Sequence, residues 1–558
     1  MAHRPRTRHQ TRTGHDSAKP STLGSSAVVV LGLFMVGLLV PSAWSSAPAV
    51  AQSTPPSNYQ TNSPHWSHLN VLDFARAARG IPNLTTRNAA YAWLVRHVDV
   101  METSMDNSTY QAADTLSTYL HGLNPTLKTF GYDYDLTMCQ RANCNQAVNT
   151  PHPLFTALPE DQYLHVSEDT QVEFRDLNGV TIETITIPGC PEPQPLSANC
   201  RLQLFIWTQK RWVSNPANVT WQQATADRFV QELQTNSAGQ ANVIDGLFID
   251  EHGPGFSTQL GIGNQTRILS GGGIREYNGL RPSPYDGVTP SSLDTQYTTD
   301  LSTWLTYLQT RLAAAGKFAH INTAEYFSDP LALNNGLAMR GAMTEHINRA
   351  NSNGILGASR YQAMLNGIQQ MTQAGGTVDL AGSWCDDGPA GYTAGNYTSP
   401  KLRYQMWSLA SYYLAKEAVG DPGKVYFDSN LCIKPNDPNP LDFFTEWLPA
   451  YEQNVGQPIE PVTIAAQGAL ACDSQGYKVF SRWYEHARIL GRVKDGHNCN
   501  DYGDATAVTI PLAVPMRMLK PDGTLSANMT SVSIRSGEAV ILFTSTDLTA
   551  PAPVSDLR

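Results

Sequence analysis

The feature that most constrains the fold of this chain is a regular alternation of strand-like and helix-like segments between about residues 89 and 427. Short apolar runs alternate with stretches of helical periodicity, which is the pattern of a parallel sheet with crossover helices. Eight strands can be counted, and eight such units predict a (β/α)8 TIM barrel. The predicted strands cover residues 97–102, 127–133, 201–207, 243–250, 318–322, 338–345, 377–384 and 424–427.

Beyond about residue 455 the pattern changes to short alternating strands separated by Gly, Asn and Asp, with no intervening helix. The clearest of these strands cover residues 479–484, 487–493, 507–512 and 539–543. Such a pattern is typical of an antiparallel sheet. We therefore expect a catalytic (β/α)8 barrel over residues 69–455 and a small C-terminal antiparallel β-domain over residues 456–558.

The N-terminal segment predicts export. Residues 1–26 carry five Lys and Arg side chains against one acid, and an unbroken apolar run of 14 residues follows from Ala27 to Val40. That run is shorter than the roughly 20 residues of a membrane span. Ala49-Val50-Ala51 then supplies a small-residue cleavage pattern, so residues 1–51 are predicted to be a signal peptide and residues 52–68 an exposed leader. If the signal peptide is cleaved, the mature chain is expected to be secreted and to have no stable membrane span. The alternative is that residues 27–40 remain as an uncleaved membrane anchor.

Charge and cysteines fit the same interpretation. The formal net charge of −10 disfavours nucleic acid or an anionic membrane as a partner. Cys139 and Cys144, and Cys190 and Cys200, form close pairs in loop-like sequence that favour disulfides, whereas the spacings typical of zinc sites are missing from the sequence. The pairing of the other four cysteines stays open, and neither a metal nor a cofactor is expected.

Polar residues at the ends of the predicted strands are the candidates for chemistry, because barrel active sites lie at the carboxyl ends of the strands. The fourth strand ends in Asp250, Glu251 and His252, followed by a glycine-containing turn. The fifth strand ends in Asn322 and the sixth in Glu345. These residues are expected to meet at one end of the barrel.

The order of these motifs resembles that of the hypothetical glycosyl hydrolase family 15, and more distantly the family 114 endo-galactosaminidases. The resemblance spans most of residues 90 to 545, apart from long insertions around residues 139–200 and 253–295. It implies that Asp250 is a nucleophile or base and leaves Glu345 as the proton donor. The motifs that carry it are His97-Val98-Asp99, Asp245-Gly246-Leu247-Phe248-Ile249-Asp250, Asn322, Glu345, Tyr477 to Tyr484, Ile510-Pro511-Leu512 and Gly537-Glu538-Ala539-Val540-Ile541-Leu542.

Chemistry gives an independent reason for a hydrolase. Cleaving a glycosidic bond needs one carboxylic acid to protonate the leaving oxygen and one carboxylate to attack carbon or activate water. Asp250 and Glu345 lie on strands two places apart, so they form the predicted catalytic pair. Asp250 with Glu251 is a poorer pair because adjacent strand residues point to opposite faces. For each of these groups, a loop cap or an ion pair with arginine is the alternative.

Further strand-end residues are candidates for holding a carbohydrate substrate. Aromatic side chains can stack on sugar rings, and polar side chains can hydrogen-bond to hydroxyl groups, although both kinds of residue also occur as packing and ion-pairing groups. The aromatic candidates are Tyr132, Trp207 and Trp384. The polar candidates are His97, Asp99, Asp133, His252 and Asn322.

A secreted barrel that binds glycans or belongs to an envelope assembly, without catalysis, is the competing interpretation, because a fold does not define a function. The distance between the carboxyl groups of Asp250 and Glu345 distinguishes the catalytic from the non-catalytic interpretation. It should be about 5 Å in a retaining enzyme and about 6.5 to 9.5 Å in an inverting one.

Overall fold

The computed structural model describes a barrel, an insertion and a C-terminal sheet, all within the compact unit Pro55–Arg558. The described residues are 71–74, 81, 83–104, 110, 113, 115–134, 137–139, 159–176, 179–206, 209–236, 238–250, 256, 265–271, 273–275, 291–323, 330–344, 357–381, 400–416, 424–428, 448–493 and 507–544. The predicted signal peptide and leader therefore lie outside them. None of the helices in these ranges is long and apolar enough to cross a membrane.

The strands and helices are numbered in chain order. The strands are β1 (Val71–Phe74), β2 (Val100–Ser104), β3 (Lys128–Tyr134), β4 (Thr137–Cys139), β5 (Thr170–Arg175), β6 (Thr181–Ile187), β7 (Gln203–Ile206), β8 (Gln209–Val213), β9 (Gly246–Asp250), β10 (Thr266–Ser270), β11 (Phe318–Asn322), β12 (Gly341–Thr344), β13 (Thr377–Ala381), β14 (Val425–Asp428), β15 (Thr463–Gly468), β16 (Tyr477–Trp483), β17 (Ala487–Arg492), β18 (Val508–Met518), β19 (Met529–Ile534) and β20 (Glu538–Thr544). The helices are α1 (Leu84–His97), α2 (Leu116–Leu123), α3 (Val219–Glu232), α4 (Ser291–Ala314), α5 (Pro330–Met339), α6 (Ala358–Gln373) and α7 (Pro400–Ala415).

Eight parallel strands close into a barrel in the order β1, β2, β3, β9, β11, β12, β13, β14 and back to β1. The TIM-barrel prediction is thus confirmed. Side chains alternate between the barrel interior and the surrounding helices because successive strand residues point to opposite faces. An apolar interior cluster results, made by Val100, Phe130, Phe248, Met343 and Ala381.

One predicted barrel strand is wrong and one barrel strand is missing from the prediction, so the count of eight strands still agrees. The predicted third strand, 201–207, contains β7, which pairs with β8 in a separate sheet outside the barrel. The first barrel strand is instead β1, a four-residue strand that pairs with β2 and β14. The strand ending in Asp250 therefore remains the fourth in the barrel.

The predicted strand 97–102 also begins too early. His97 is the last residue of helix α1, and β2 begins at Val100. The His97 ring stacks on Trp93 one helical turn earlier, with ring centroids 3.9 Å apart, and its Nδ1 lies 2.8 Å from the Trp93 carbonyl oxygen. This local packing extends the helix through a residue that the apolar pattern assigned to a strand.

Strands from the segment between β3 and β9, together with β10, which follows β9, form two small sheets outside the barrel. One contains β4, β8 and β7, and the other contains β10, β5 and β6. The predicted disulfide between Cys190 and Cys200 is confirmed. Cys472 is also disulfide-bonded, whereas Cys144, in the other predicted pair, lies outside the described residues.

The C-terminal antiparallel β-domain is confirmed as a six-stranded sheet in the order β15, β16, β17, β20, β18, β19. One face of this sheet packs on helix α7 of the barrel. The approach is close at Gly491, where a Cβ atom would lie 2.7 Å from the Trp407 ring. Arg482 of β16, 4% exposed, donates to the carbonyl oxygens of Tyr413, Leu414 and Lys416 at the end of α7.

Candidate active site

Three neighbouring strands bring three predicted residues together at the carboxyl end of the barrel. Strand β9 lies between β3 and β11. Phe248 of β9 is in register with Tyr132 on one side and with His320 on the other. Asp250 and Asn322 each lie two residues further along their strands, so their side chains return to the interior face. Asp250 is thus flanked by a tyrosine and an amide.

Both oxygens of the Asp250 carboxylate accept hydrogen bonds from these neighbours. The Tyr132 hydroxyl donates to Oδ2 in a short contact. Asn322 Nδ2 donates to Oδ1 at 2.8 Å. Asp250 itself is half-buried, whereas Asn322 is only 5% exposed. The carboxylate is therefore fixed from both sides at a position that solvent still reaches.

Aromatic rings form the floor beneath this carboxylate. Tyr132 stacks on Phe248, with ring centroids 5.8 Å apart and an interplanar angle of 14°. Phe248 in turn contacts Phe130 edge to face at 6.2 Å. The floor is buried and apolar, so Asp250 lies at the boundary between the packed barrel interior and the open end.

The barrel interior also contains three buried ionisable residues that sequence reasoning missed. Glu102 on β2, His320 on β11 and Asp379 on β13 are each no more than 1% exposed. Burial lowers the pKa of His320 to about 3, so its imidazole is neutral. A polar residue at an interior position of an otherwise apolar strand is the sequence signal that could have identified them.

Asp133 does not join the site. The alternation of strand β3 directs it to the opposite face from Tyr132, where it contacts helix α3. Its Oδ2 lies 3.2 Å from the guanidinium of Arg228, and that side chain is 5% exposed. Asp133 therefore forms an ion pair that links the barrel strands to the surrounding helices. This is the structural alternative to the predicted role in substrate binding.

His97 and Asp99 lie at the other end of the barrel. Both precede Val100, the first residue of β2, and the Asp99 carbonyl accepts from the amide of Lys128, the first residue of β3. Parallel strands place all their carboxyl ends together, so these two residues are separated from Asp250 by the length of a strand. The structure does not bring them to the candidate site.

Five other predicted site residues lie outside the described residues. They are Glu251, His252, Glu345, Trp207 and Trp384. Glu345 directly follows Thr344, the last residue of β12, and only β11 separates β12 from β9 in the barrel. Within the described ranges no cluster of three or more His, Cys, Asp or Glu side chains is arranged to hold a metal ion.

Asp245, the first acid of the Asp245-to-Asp250 motif, lies at the opposite end of the same strand. Its carboxylate accepts from His121, Lys128 and the Thr129 amide, each at 3.0 Å. Burial by itself raises the pKa of Asp245, yet these hydrogen bonds outweigh burial and lower the pKa to about 2. The two acids of the motif thus have different surroundings, one structural and one at the open end.

Replacing Asp245 by asparagine is expected to lower the free energy of unfolding by about 2 kcal/mol at pH 7, the equivalent of its pKa depression. Because the folded-state pKa is depressed, this stability is present above about pH 4 and is lost as the pH falls towards 2. Urea denaturation at pH 7 and at pH 3 would measure it. A variant that loses as much stability on acidification as the wild type would contradict this role for Asp245.

Comparison with known proteins does not place the chain in a family. No protein-family model matches it, and no curated protein matches it. The resemblance to hypothetical glycosyl hydrolase family 15 and to family 114 therefore remains a prediction.

Several solved structures match this chain at low similarity. A noncanonic maltogenic α-amylase from Thermotoga neapolitana is 9% identical with a TM-score of 0.36, over 86% of this chain and 99% of its own. Isomaltulose synthases from Klebsiella sp. LX3 and Protaminobacter rubrum are 10% and 7% identical, with TM-scores of 0.41 and 0.38, over 87% of this chain and 100% of theirs. Such values define neither an activity nor a substrate.

Proposed function

We propose that this chain is a secreted glycoside hydrolase in which Asp250 acts as the nucleophile or as the base that activates water. The observation that carries the proposal is the arrangement of Asp250, a half-buried carboxylate at the carboxyl end of the fourth barrel strand whose two oxygens accept from Tyr132 and Asn322. In TIM barrels this end of the strands is where chemistry takes place.

The hydrogen bonds favour one of the two carboxylate roles. A proton donor would have to carry a proton on one carboxyl oxygen and direct it at the leaving group. Asp250 instead receives a hydrogen bond on each oxygen, which is the arrangement of an acceptor. Attack on the anomeric carbon or removal of a proton from water requires such an acceptor. Protonation of the leaving oxygen must therefore come from another acid.

Glu345 is our proposed proton donor. It follows directly after β12, the strand two places from β9. Adjacent strands are about 4.8 Å apart, so the backbones of β9 and β12 are separated by about 9 to 10 Å. Inward side chains on two such strands span the carboxyl separations of about 5 to 9.5 Å that retaining and inverting enzymes use. The finer assignment that we propose is a relationship to hypothetical glycosyl hydrolase family 15, with the family 114 endo-galactosaminidases as more distant relatives.

The proposal is tested with purified mature protein on a panel of bacterial and plant polysaccharides that includes galactosaminoglycans and arabinans. We expect new reducing ends from at least one polysaccharide, and product analysis would give the linkage and the endo or exo mode. Binding to a polysaccharide without release of reducing ends would instead favour the non-catalytic glycan-binding alternative.

A further inference from the structure

We infer that Tyr132 and Asn322 are positioning residues that hold the Asp250 carboxylate in one orientation, rather than residues that bind the sugar. This inference rests on the proposed function, since it assigns their part in the reaction of Asp250. It changes the expectation from sequence, in which both residues were candidates for direct contact with substrate.

Burial argues against direct contact for Asn322. Asn322 is 5% exposed, whereas Asp250, to which it donates at 2.8 Å, is half-buried. The amide is thus better covered than the carboxylate that it contacts. A substrate entering from the open end would meet Asp250 before Asn322.

The ring of Tyr132 is committed in a similar way. It stacks almost parallel to Phe248, at an interplanar angle of 14°, so one of its two faces is occupied by the barrel floor. Its hydroxyl donates to Asp250 Oδ2. The position of that hydroxyl is therefore set by packing below and by a hydrogen bond above.

The two donors together restrict rotation of the carboxylate. Tyr132 comes from β3 and Asn322 from β11, on opposite sides of β9, and each engages a different oxygen of Asp250. Rotation about the Cβ–Cγ bond would break both hydrogen bonds. A reacting group held within a few tenths of an ångström reacts faster than a mobile one, and such preorganisation acts on kcat rather than on substrate binding.

Tyr132→Phe removes the hydroxyl and keeps the stacked ring. We expect kcat to fall about 10- to 100-fold, as for loss of one hydrogen bond to a charged group, with KM nearly unchanged. Asn322→Asp, nearly isosteric, should lose more activity because it places a second carboxylate against Asp250.

Tyr484→Phe is the matched control. The Tyr484 hydroxyl donates to the Tyr413 carbonyl at 2.5 Å, at the contact between the C-terminal sheet and the barrel. Its loss removes one hydroxyl donor far from Asp250, so kcat and KM should remain those of the wild type. Crystal structures of Tyr132→Phe and the wild type add a readout independent of activity: we expect a second orientation of the Asp250 carboxylate in the variant.

The outcomes separate the two proposals. Full activity in Asp250→Asn would overturn the proposed function, whatever Tyr132→Phe does. Loss of activity in Asp250→Asn, together with a raised KM but unchanged kcat in Tyr132→Phe, would leave the function intact and show that Tyr132 binds substrate instead. An unchanged carboxylate orientation in the Tyr132→Phe crystal structure would also overturn the inference.

Discussion

Replacing Asp250 by asparagine is expected to lower kcat/KM on the true substrate by about 10³-fold or more, because an amide can neither attack the anomeric carbon nor accept a proton from water. The fold should tolerate the change. The amide oxygen can still accept from Asn322, and the Tyr132 hydroxyl can accept from the new NH₂ group in place of donating to Oδ2. Enzyme assays and thermal melting on the same preparation would measure both effects.

Asp245→Asn provides the control from the same strand. It makes the same chemical change at the other end of β9, where the carboxylate accepts from His121, Lys128 and Thr129. We expect this variant to lose stability and keep its activity, the reverse of Asp250→Asn. Comparable loss of activity in the two variants, measured where both are folded, would mean that Asp250 matters for structure rather than for chemistry.

Arg482→Ala is expected to lower the free energy of unfolding by about 3 kcal/mol, the largest effect on stability that we predict. The last carbonyl groups of a helix lack partners within the helix. Arg482 supplies donors to three of them at the end of α7, and its Nε donates to the Glu460 carbonyl at 3.1 Å. Truncation leaves these buried acceptors without the guanidinium.

Urea denaturation followed by tryptophan fluorescence is a suitable measurement, because the buried Trp407 lies in the same contact between α7 and the C-terminal sheet. Arg482→Lys keeps the charge but cannot reach several carbonyls at once, so its stability should fall between those of wild type and alanine variant. Equal urea midpoints for wild type and Arg482→Ala would show that the guanidinium does not stabilise the contact between helix α7 and the C-terminal sheet.

The barrel could be predicted because its strands are short apolar runs separated by helices, and the β9 and β11 segments end in polar residues. The errors have a common cause. An apolar run such as 201–207 has the same periodicity in a barrel strand and in the β7–β8 hairpin of an insertion. Conversely, β1 has four residues, too few to establish a period. The pairing partner of a strand depends on contacts distant in sequence.

The candidate site was predictable in part, because polar and aromatic residues at the ends of the apolar strand segments can be identified in the sequence. Asp250, Tyr132 and Asn322 all lie at the carboxyl ends of correctly predicted strands, so alternation brings them to one face. The prediction that His97 lies at the site is wrong, because His97 ends helix α1 and stacks on Trp93. The prediction for Asp133 is wrong because the alternation of β3 directs its side chain towards Arg228. The role of Tyr132 and Asn322 as neighbours of Asp250 depends on strand order, which the sequence alone does not reveal.

The most direct test of the central claim is the rate of reducing-end release by wild type, Asp250→Asn and Asp245→Asn across the same polysaccharide panel. The account predicts that wild type and Asp245→Asn release reducing ends from the same polysaccharide, and that Asp250→Asn releases none above background. Release by Asp250→Asn at the wild-type rate would contradict the assignment of Asp250 as the reacting carboxylate.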